Sequence, residues 1–229
     1  MSLVGPLLGA SGGHAQQRGD GPEGGTGEAR EVSFATSDGG RIFALLEGAG
    51  DHAVVLAHGA IFDKESWTEQ SKLLAEKGLQ VLAIDFRGYG KSQAGSQQGA
   101  LHLDVLAAVR YLRDQGAKRV SVVGGSMGGR AAAEAAVEAQ PGEIDRLILL
   151  APPPIRRPQE IKGTKLFIVA QGDRLAQTVK EQYEAAPQPK RLVVLDGNAH
   201  AQHIFRSPQA GELTRQIVNG LTSGEVTGR

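Results

Sequence analysis

The longest apolar stretches of this chain are only as long as a β-strand, and most of them alternate with segments of helical spacing. The candidates for buried strands are residues 52–56, 81–84, 119–123, 147–150, 166–170 and 192–195. Strands that are apolar along their whole length are covered on both faces, and helical connections make such strands parallel. The candidates for helices are residues 66–77, 101–112, 127–139, 175–185 and 212–221. The pattern predicts an α/β fold, with a mostly parallel sheet between two layers of helices.

Two further strand candidates, residues 31–36 and 41–47, flank a turn at residues 37–40 and bring the expected sheet to eight strands. The 229 residues are enough for one large domain and too few for two, so we expect a single domain over residues 31–229. Residues 1–30 are rich in Gly, Gln, Ser and charged residues and offer little to bury. We expect them to form a disordered or loosely attached tail.

Composition narrows the possible partners of the chain. Basic and acidic residues number 25 each, and no charged tract is present that would attract nucleic acid. The chain has no cysteine, which excludes disulfides, thiolate metal sites and a cysteine nucleophile. No segment is apolar for long enough to span a bilayer, and the N-terminus lacks the basic start of a signal peptide. We expect a cytoplasmic monomer or small homo-oligomer without metal, cofactor, nucleic acid or membrane partner.

A serine stands at the junction between a predicted strand and a predicted helix. Residues 119–123 lead into Gly124-Gly125-Ser126-Met127-Gly128, and the helix candidate follows directly. The pattern G-x-S-x-G in this setting is typical of a nucleophile elbow, in which a strained turn exposes the serine hydroxyl and the flanking positions must be small. A glycine-rich connector with an incidental serine is the plain alternative. A phosphate-binding loop is disfavoured, because the Gly-Lys-Ser/Thr ending is missing.

Two more motifs accompany the elbow and give the chain a family resemblance. His-Gly-Ala at residues 58–60 and Asp-x-Arg-Gly-x-Gly-x-Ser at residues 85–92 each follow a strand candidate. Together, in this order, the three motifs resemble those of the α/β-hydrolase family over about residues 31–222. The resemblance implies the α/β-hydrolase fold. Many members insert a helical lid after the sixth strand, but here only APPPIRRPQEIKGT at residues 151–164 stands there. Its prolines favour an extended linker, so we expect no cap domain.

A serine hydroxyl becomes a good nucleophile only when a base removes its proton. The family order, serine then acid then histidine, leaves His200 and His203 among the six histidines, since both follow the last strand candidate. His200 is favoured because residues 197–200 resemble the family's Gly-x-x-His. His203 stays open as an alternative base or as a residue that lines the site.

The acid that orients the base should follow the seventh strand. Asp173 stands just past residues 166–170, in a stretch that resembles the family's acid-bearing loop. It could instead only cap the helix at 175–185. Asp196 is the alternative acid, but it is disfavoured because it lies so near His200 along the chain.

The remaining candidates follow from the resemblance. The backbone amides of Met127 and Ala60 are the expected oxyanion donors, with Ile61 as the rival of Ala60. The candidate substrate contacts are Ile61, Trp67 and His203, although a packing role is favoured over substrate contact for Trp67. Asp85 and Arg87 are predicted to hold the loop after the fourth strand and to have no catalytic role.

The expected activity is hydrolysis of small carboxylic esters through an acyl-enzyme, in an open site with a Ser126–His200–Asp173 triad. Serine in the elbow argues against the Asp-nucleophile dehalogenases and epoxide hydrolases of the family, and the lack of cysteine argues against its Cys-type dienelactone hydrolases. A thioesterase, a lactonase, a small-acyl deacylase, a small serine peptidase and a non-catalytic binding protein on the same fold stay open as alternatives.

Overall fold

The computed structural model describes residue 1 and residues 28–223. The N-terminal tail predicted for residues 1–30 therefore lies almost entirely outside the described residues. Within residues 28–223, no helix is of sufficient length and apolarity to cross a lipid bilayer.

In the part of the chain that the structure describes, eight strands form one sheet, as the sequence pattern predicts. They are β1 (Arg30–Ala35), β2 (Arg41–Glu47), β3 (His52–Ala57), β4 (Gln80–Ile84), β5 (Arg119–Gly125), β6 (Arg146–Leu150), β7 (Thr164–Ala170) and β8 (Lys190–Leu195). Their spatial order is β1-β2-β4-β3-β5-β6-β7-β8. Strand β2 is antiparallel to both of its neighbours, β1 and β4. From β4 to β8 every pair is parallel.

Within residues 28–223, five helices connect and cover the strands. They are α1 (Thr68–Glu76), α2 (Leu101–Asp114), α3 (Met127–Glu138), α4 (Ala176–Ala185) and α5 (Ala210–Thr222). The helix boundaries differ by up to two residues from the sequence pattern, which predicts for example that the first helix begins at residue 66. The helix is preceded by a 3₁₀ turn, Lys64–Trp67, because the Asp63 side chain accepts a hydrogen bond from the Ser66 amide and caps that turn.

Burial separates the central strands from the edge strands. Every residue of β3 is buried, whereas β2, next to the edge, alternates between buried and more exposed residues. The edge strand β8 is only partly covered along most of its length. The sheet therefore has its fully buried centre around β3 and β5, beneath helices on both faces.

The topology places several loops at one end of the sheet. The carboxyl ends of parallel strands lie at the same edge, so the loops after β3, β4, β5, β7 and β8 converge there. Between β6 and β7, residues 151–163 contain only the 3₁₀ turn Pro158–Glu160, and no cap domain is inserted.

The loop after β4 is held by buried charges. Arg87, which is 4% exposed, donates from Nε to Asp104 Oδ1 at 2.9 Å and from an end nitrogen to Asp38 Oδ2 at 2.9 Å. The hydrogen bonds from Arg87 hold the pKa of Asp38 well below its usual range. Asp85 accepts from the Lys64 side chain at 2.7 Å. Asp85 and Arg87 are thus structural, in agreement with the sequence prediction.

Candidate active site

Ser126 occupies a strained turn between β5 and α3. Its φ of 49° and ψ of −114° lie in a region that residues other than glycine rarely adopt. The turn is fastened to the sheet because the Ser126 amide donates to the carbonyl of Leu150 at 2.8 Å. The local geometry is that of a strand-to-helix elbow, as the sequence predicts.

The glycines on each side of the turn are required by close backbone contacts. A Cβ atom at Gly124 would lie 2.4 Å from the carbonyl oxygen of Gly128. A Cβ atom at Gly128 would lie 2.2 Å from the carbonyl oxygen of Ala57, at the end of β3. Any larger residue at either position would force the elbow away from the central strands.

Three side chains from separate loops form a continuous hydrogen-bonded chain. The Ser126 Oγ atom lies 2.8 Å from His200 Nε2, and His200 Nδ1 lies 2.7 Å from Asp173 Oδ2. A carboxylate can only accept hydrogen bonds, so Nδ1 carries a hydrogen and Nε2 is left to accept the serine proton. The arrangement is suited to general-base activation of a hydroxyl.

Asp173 is fixed by a second contact. Its side chain is completely buried, and Oδ1 accepts from the Leu175 amide at 2.8 Å while Oδ2 faces His200. The carboxylate therefore contacts the start of the α4 segment and orients the imidazole at the same time. The alternative acid, Asp196, is exposed and has no hydrogen bond to His200.

The amides expected to hold an oxyanion lie in the loop after β3 and at the start of α3. Within the described residues, the amides of Ala60, Ile61 and Met127 have no hydrogen-bond acceptor. The Gly59 amide is engaged, because it donates to Gln202 Oε1 at 2.7 Å. The amides of both Ala60 and Ile61 on this loop, and the amide of Met127 at the start of α3, are therefore available to bind an oxyanion.

A cavity of about 350 Å³ opens beside the serine. Its lining comprises Gly59, Ala60, Ile61, Phe62, Ser126, Arg174, His200, Ala201, Gln202 and His203. The His203 ring packs against Phe62 with a centroid distance of 5.1 Å, and Ile61 is 76% exposed at the surface. Two of the predicted substrate contacts, Ile61 and His203, therefore lie at the same cavity as Ser126.

Residues 52–182 match the family model that describes the alpha/beta hydrolase fold. The chain belongs to the α/β-hydrolase fold family. Two uncharacterised proteins, from two strains of Mycobacterium tuberculosis, are each 28% identical to this α/β-hydrolase chain over an alignment of 202 residues. The alignment covers 75% of this chain and 72% of each relative. A non-heme chloroperoxidase of Streptomyces lividans is 33% identical over 128 residues, 54% of the chain and 45% of its own length.

Solved structures agree with the fold of this family. The esterase of Pyrococcus furiosus superposes with a TM-score of 0.73 and 22% sequence identity, over 85% of this α/β-hydrolase chain and 93% of the esterase. At this level of identity the similarity shows a shared fold.

Trp67 does not lie at the cavity of this α/β-hydrolase chain. The 3₁₀ turn Lys64–Trp67 directs its indole into the core, where it is completely buried and packs edge-on against Phe205 at 5.9 Å. The prediction that Trp67 contacts substrate is therefore wrong, and its alternative as a packing residue is correct. The sequence pattern could not decide this, because the register of the turn sets which way the ring points.

His58 supports the loop after β3, which carries the candidate oxyanion amides, from within. Its Nδ1 atom lies 2.8 Å from the Gly59 carbonyl, and its Nε2 atom accepts from the Phe86 amide at 3.2 Å. Burial lowers the pKa of His58, so the ring stays neutral and can accept this bond.

Sequence reasoning missed two residues that tie the site together. Gln202 is 5% exposed; its Oε1 accepts from Gly59 and its Nε2 donates to Ser66 Oγ at 3.0 Å. The hydroxyl of Tyr89 donates to the Ala60 carbonyl at 2.8 Å and lies 3.7 Å from Met127 Sδ. Tyr89 lies inside the Asp-x-Arg-Gly-x-Gly-x-Ser motif, and this position could have marked it as a candidate site residue. Gln202 lies in none of the motifs, so no sequence pattern pointed to it.

Within residues 28–223, no three His, Asp or Glu side chains are grouped so that they could hold a metal ion.

Proposed function

We propose that the protein is a serine hydrolase that cleaves small carboxylic esters through an acyl-enzyme intermediate. The observation that carries the proposal is the continuous chain Ser126 Oγ–His200 Nε2–His200 Nδ1–Asp173, with distances of 2.8 and 2.7 Å. These are the contacts that a nucleophilic serine, a general base and an orienting acid require.

The reaction proceeds in two halves. Ser126 Oγ attacks the ester carbonyl while His200 takes its proton, and the amides of Met127 and Ala60 stabilise the negative charge on the oxygen. The protonated His200 then gives that proton to the departing alcohol, and the acyl group remains on Ser126. Water, deprotonated by the same histidine, attacks the acyl-enzyme, releases the acid and restores the serine.

The open cavity favours esters with short acyl groups over esters with long acyl chains. Its volume of about 350 Å³ suits a compact ester, and residues 151–163 provide no lid that would cover a long chain. The similarity of the fold to that of an esterase from Pyrococcus furiosus supports ester hydrolysis as the reaction class.

Labelling with a fluorophosphonate tests the nucleophile. We expect covalent modification of Ser126 and its loss in Ser126→Ala, together with a fall in kcat of about 10⁶. Ser223→Ala, a surface serine after α5, is the matched control and should behave as the unmodified protein. Modification of the folded protein at another residue, or none at all, would exclude the proposed mechanism.

A panel of p-nitrophenyl esters with increasing acyl length tests the substrate class. We expect kcat/KM to be highest for short acyl groups, whereas a preference for long chains would contradict the open-site argument. Thioester, lactone and peptide substrates in the same panel would separate the ester hydrolase from its nearest alternatives.

A further inference from the structure

The cavity beside Ser126 is lined by a positively charged side chain and by no acidic side chain. Among its lining residues there is one permanently charged side chain, Arg174, and there is no Asp or Glu. Arg174 directly follows Asp173, so the backbone places it next to the residue that orients His200. Its side chain is exposed and, in the described part of the chain, forms neither an ion pair nor a side-chain hydrogen bond.

The nearby carboxylates are already engaged. Both oxygens of Asp173 are occupied, one by His200 and one by the Leu175 amide, and its side chain is completely buried. Two other arginines, by contrast, have carboxylate partners. Arg130 pairs with Glu134 at 2.9 Å, and Arg157 pairs with Glu160 at 2.8 Å. Arg174 is therefore left to bind a negative charge that enters from solvent.

The remaining lining suits the rest of such a ligand. The apolar residues Ala60, Ile61, Phe62 and Ala201 also line the cavity. A guanidinium group binds a carboxylate through two parallel hydrogen bonds, which fixes direction as well as charge. A short apolar segment that ends in a carboxylate matches both features of the cavity.

We propose that Arg174 makes this site selective for esters that carry a free carboxylate, such as half-esters of short dicarboxylic acids. The inference rests on the proposed ester hydrolysis at Ser126 and specifies its substrate class. Arg174 acts here as a specificity-determining residue that holds the substrate's second acidic group, while the chemistry at the scissile carbonyl stays with Ser126 and His200.

Matched pairs of esters test the proposal kinetically. On the acyl side, p-nitrophenyl hemisuccinate and hemiglutarate are compared with the butyrate and pentanoate; on the alcohol side, 4-acetoxybenzoate is compared with 4-acetoxybenzamide. We expect kcat/KM to favour the anionic member of at least one pair by roughly fivefold, as for a partly exposed ion pair. Arg174→Gln should abolish this preference, and Arg174→Glu should reverse it.

The control variant is Arg157→Gln, which removes the same charge from the surface outside this cavity. It should keep the preference for anionic esters, which would show that the effect is local and does not come from the net charge. Equal or better hydrolysis of the neutral esters, with a ratio that Arg174→Gln does not change, would overturn the proposal.

A binding measurement separates this inference from the proposed reaction. Titration of Ser126→Ala with monomethyl glutarate, followed by nuclear magnetic resonance, reports binding without turnover. We expect saturable shifts that weaken roughly fivefold when Arg174→Gln is added. Binding that is unaffected by Arg174→Gln would refute the carboxylate site even if Ser126 is the nucleophile. Carboxylate binding with no labelling of Ser126 would instead refute only the proposed hydrolysis.

Discussion

The side-chain oxygen of Gln202 accepts a hydrogen bond from the backbone amide of Gly59 at 2.7 Å. This bond joins the loop after β8, which carries His200, to the loop after β3, which carries the candidate oxyanion amides. Because the Gly59 amide is engaged in this bond, it cannot donate to a ligand. Among the described residues, the amides of Ala60 and Ile61 in this loop stay free. A buried glutamine thus connects the loop of His200 to the loop of the candidate oxyanion amides across 143 residues of sequence.

We predict that Gln202→Leu lowers kcat more than it raises KM. The change removes the acceptor for Gly59 and the donor to Ser66, so the oxyanion loop loses its attachment to the His200 loop. A displacement of about 1 Å at a reacting group costs on the order of 10² in rate. Steady-state kinetics on a short p-nitrophenyl ester measures the effect.

Gln177→Leu is the control for Gln202→Leu, because Gln177 bonds only to Glu181 on the exposed face of α4. It should leave kcat unchanged. If Gln202→Leu shows full activity in a folded protein, the oxyanion loop is held by other contacts, such as the bond from Tyr89 to Ala60.

Asp173→Asn should lower kcat by about 10⁴ while the fold is retained. The amide oxygen of asparagine can still accept from Leu175, but an amide nitrogen facing His200 would favour the wrong imidazole tautomer. The rate of fluorophosphonate labelling and the kcat for ester hydrolysis both report the change. Asp196→Asn is the control, and a loss of activity in that variant would transfer the orienting role to Asp196.

Asp104→Asn should destabilise the fold without a direct effect on the site. Asp104 is completely buried and accepts from the backbone amide of Arg87 at 3.0 Å and from its Nε at 2.9 Å. Removing one partner from a buried ion pair costs about 3 kcal/mol, since the buried Arg87 charge loses one of its two carboxylate partners and keeps only Asp38. Urea denaturation measures the free energy of unfolding, and Asp114→Asn on the exposed end of α2 should change it little.

The stability of the protein should fall as the pH decreases from about 6.5 to about 4. Burial lowers the pKa of His52 from 6.5 to about 4, and its Nε2 atom lies 2.9 Å from Ser121 Oγ. In this pH range the unfolded chain binds a proton that the folded chain excludes, so acid favours unfolding. The loss from this group is on the order of 3 kcal/mol.

Urea midpoints at a series of pH values test the role of His52. His52→Gln should flatten the pH dependence in this range, because glutamine does not titrate. His102→Gln, which changes a partly exposed histidine on α2, should retain the steep dependence. An identical pH profile in His52→Gln would mean that other groups cause the acid sensitivity.

Much of the fold could be predicted because the signals are local. Apolar runs of strand length identify β3 to β8, the turn at residues 37–40 identifies β1 and β2, and helical spacing identifies α1 to α5, with boundaries that differ by a few residues. One error lies before α1, where the Asp63 side chain caps a 3₁₀ turn that directs Trp67 into the core. The helical spacing of residues 66–77 does not distinguish such a turn from the first turn of the α-helix.

The sequence by itself determined the elbow, because the motif G-x-S-x-G places glycine at positions 124 and 128, where the turn has no space for a side chain. It also proposed Ser126, Asp173 and His200 through motif order and family resemblance. Only the tertiary structure decided which side chains meet. Loops that are far apart in sequence are joined by the hydrogen bonds of His200 to Ser126 and Asp173 and by the bond from Gly59 to Gln202. The tertiary structure also decided that Arg174 is exposed at the cavity. Such contacts depend on how the strands are ordered in the sheet, and a local pattern of residue types does not encode that geometry.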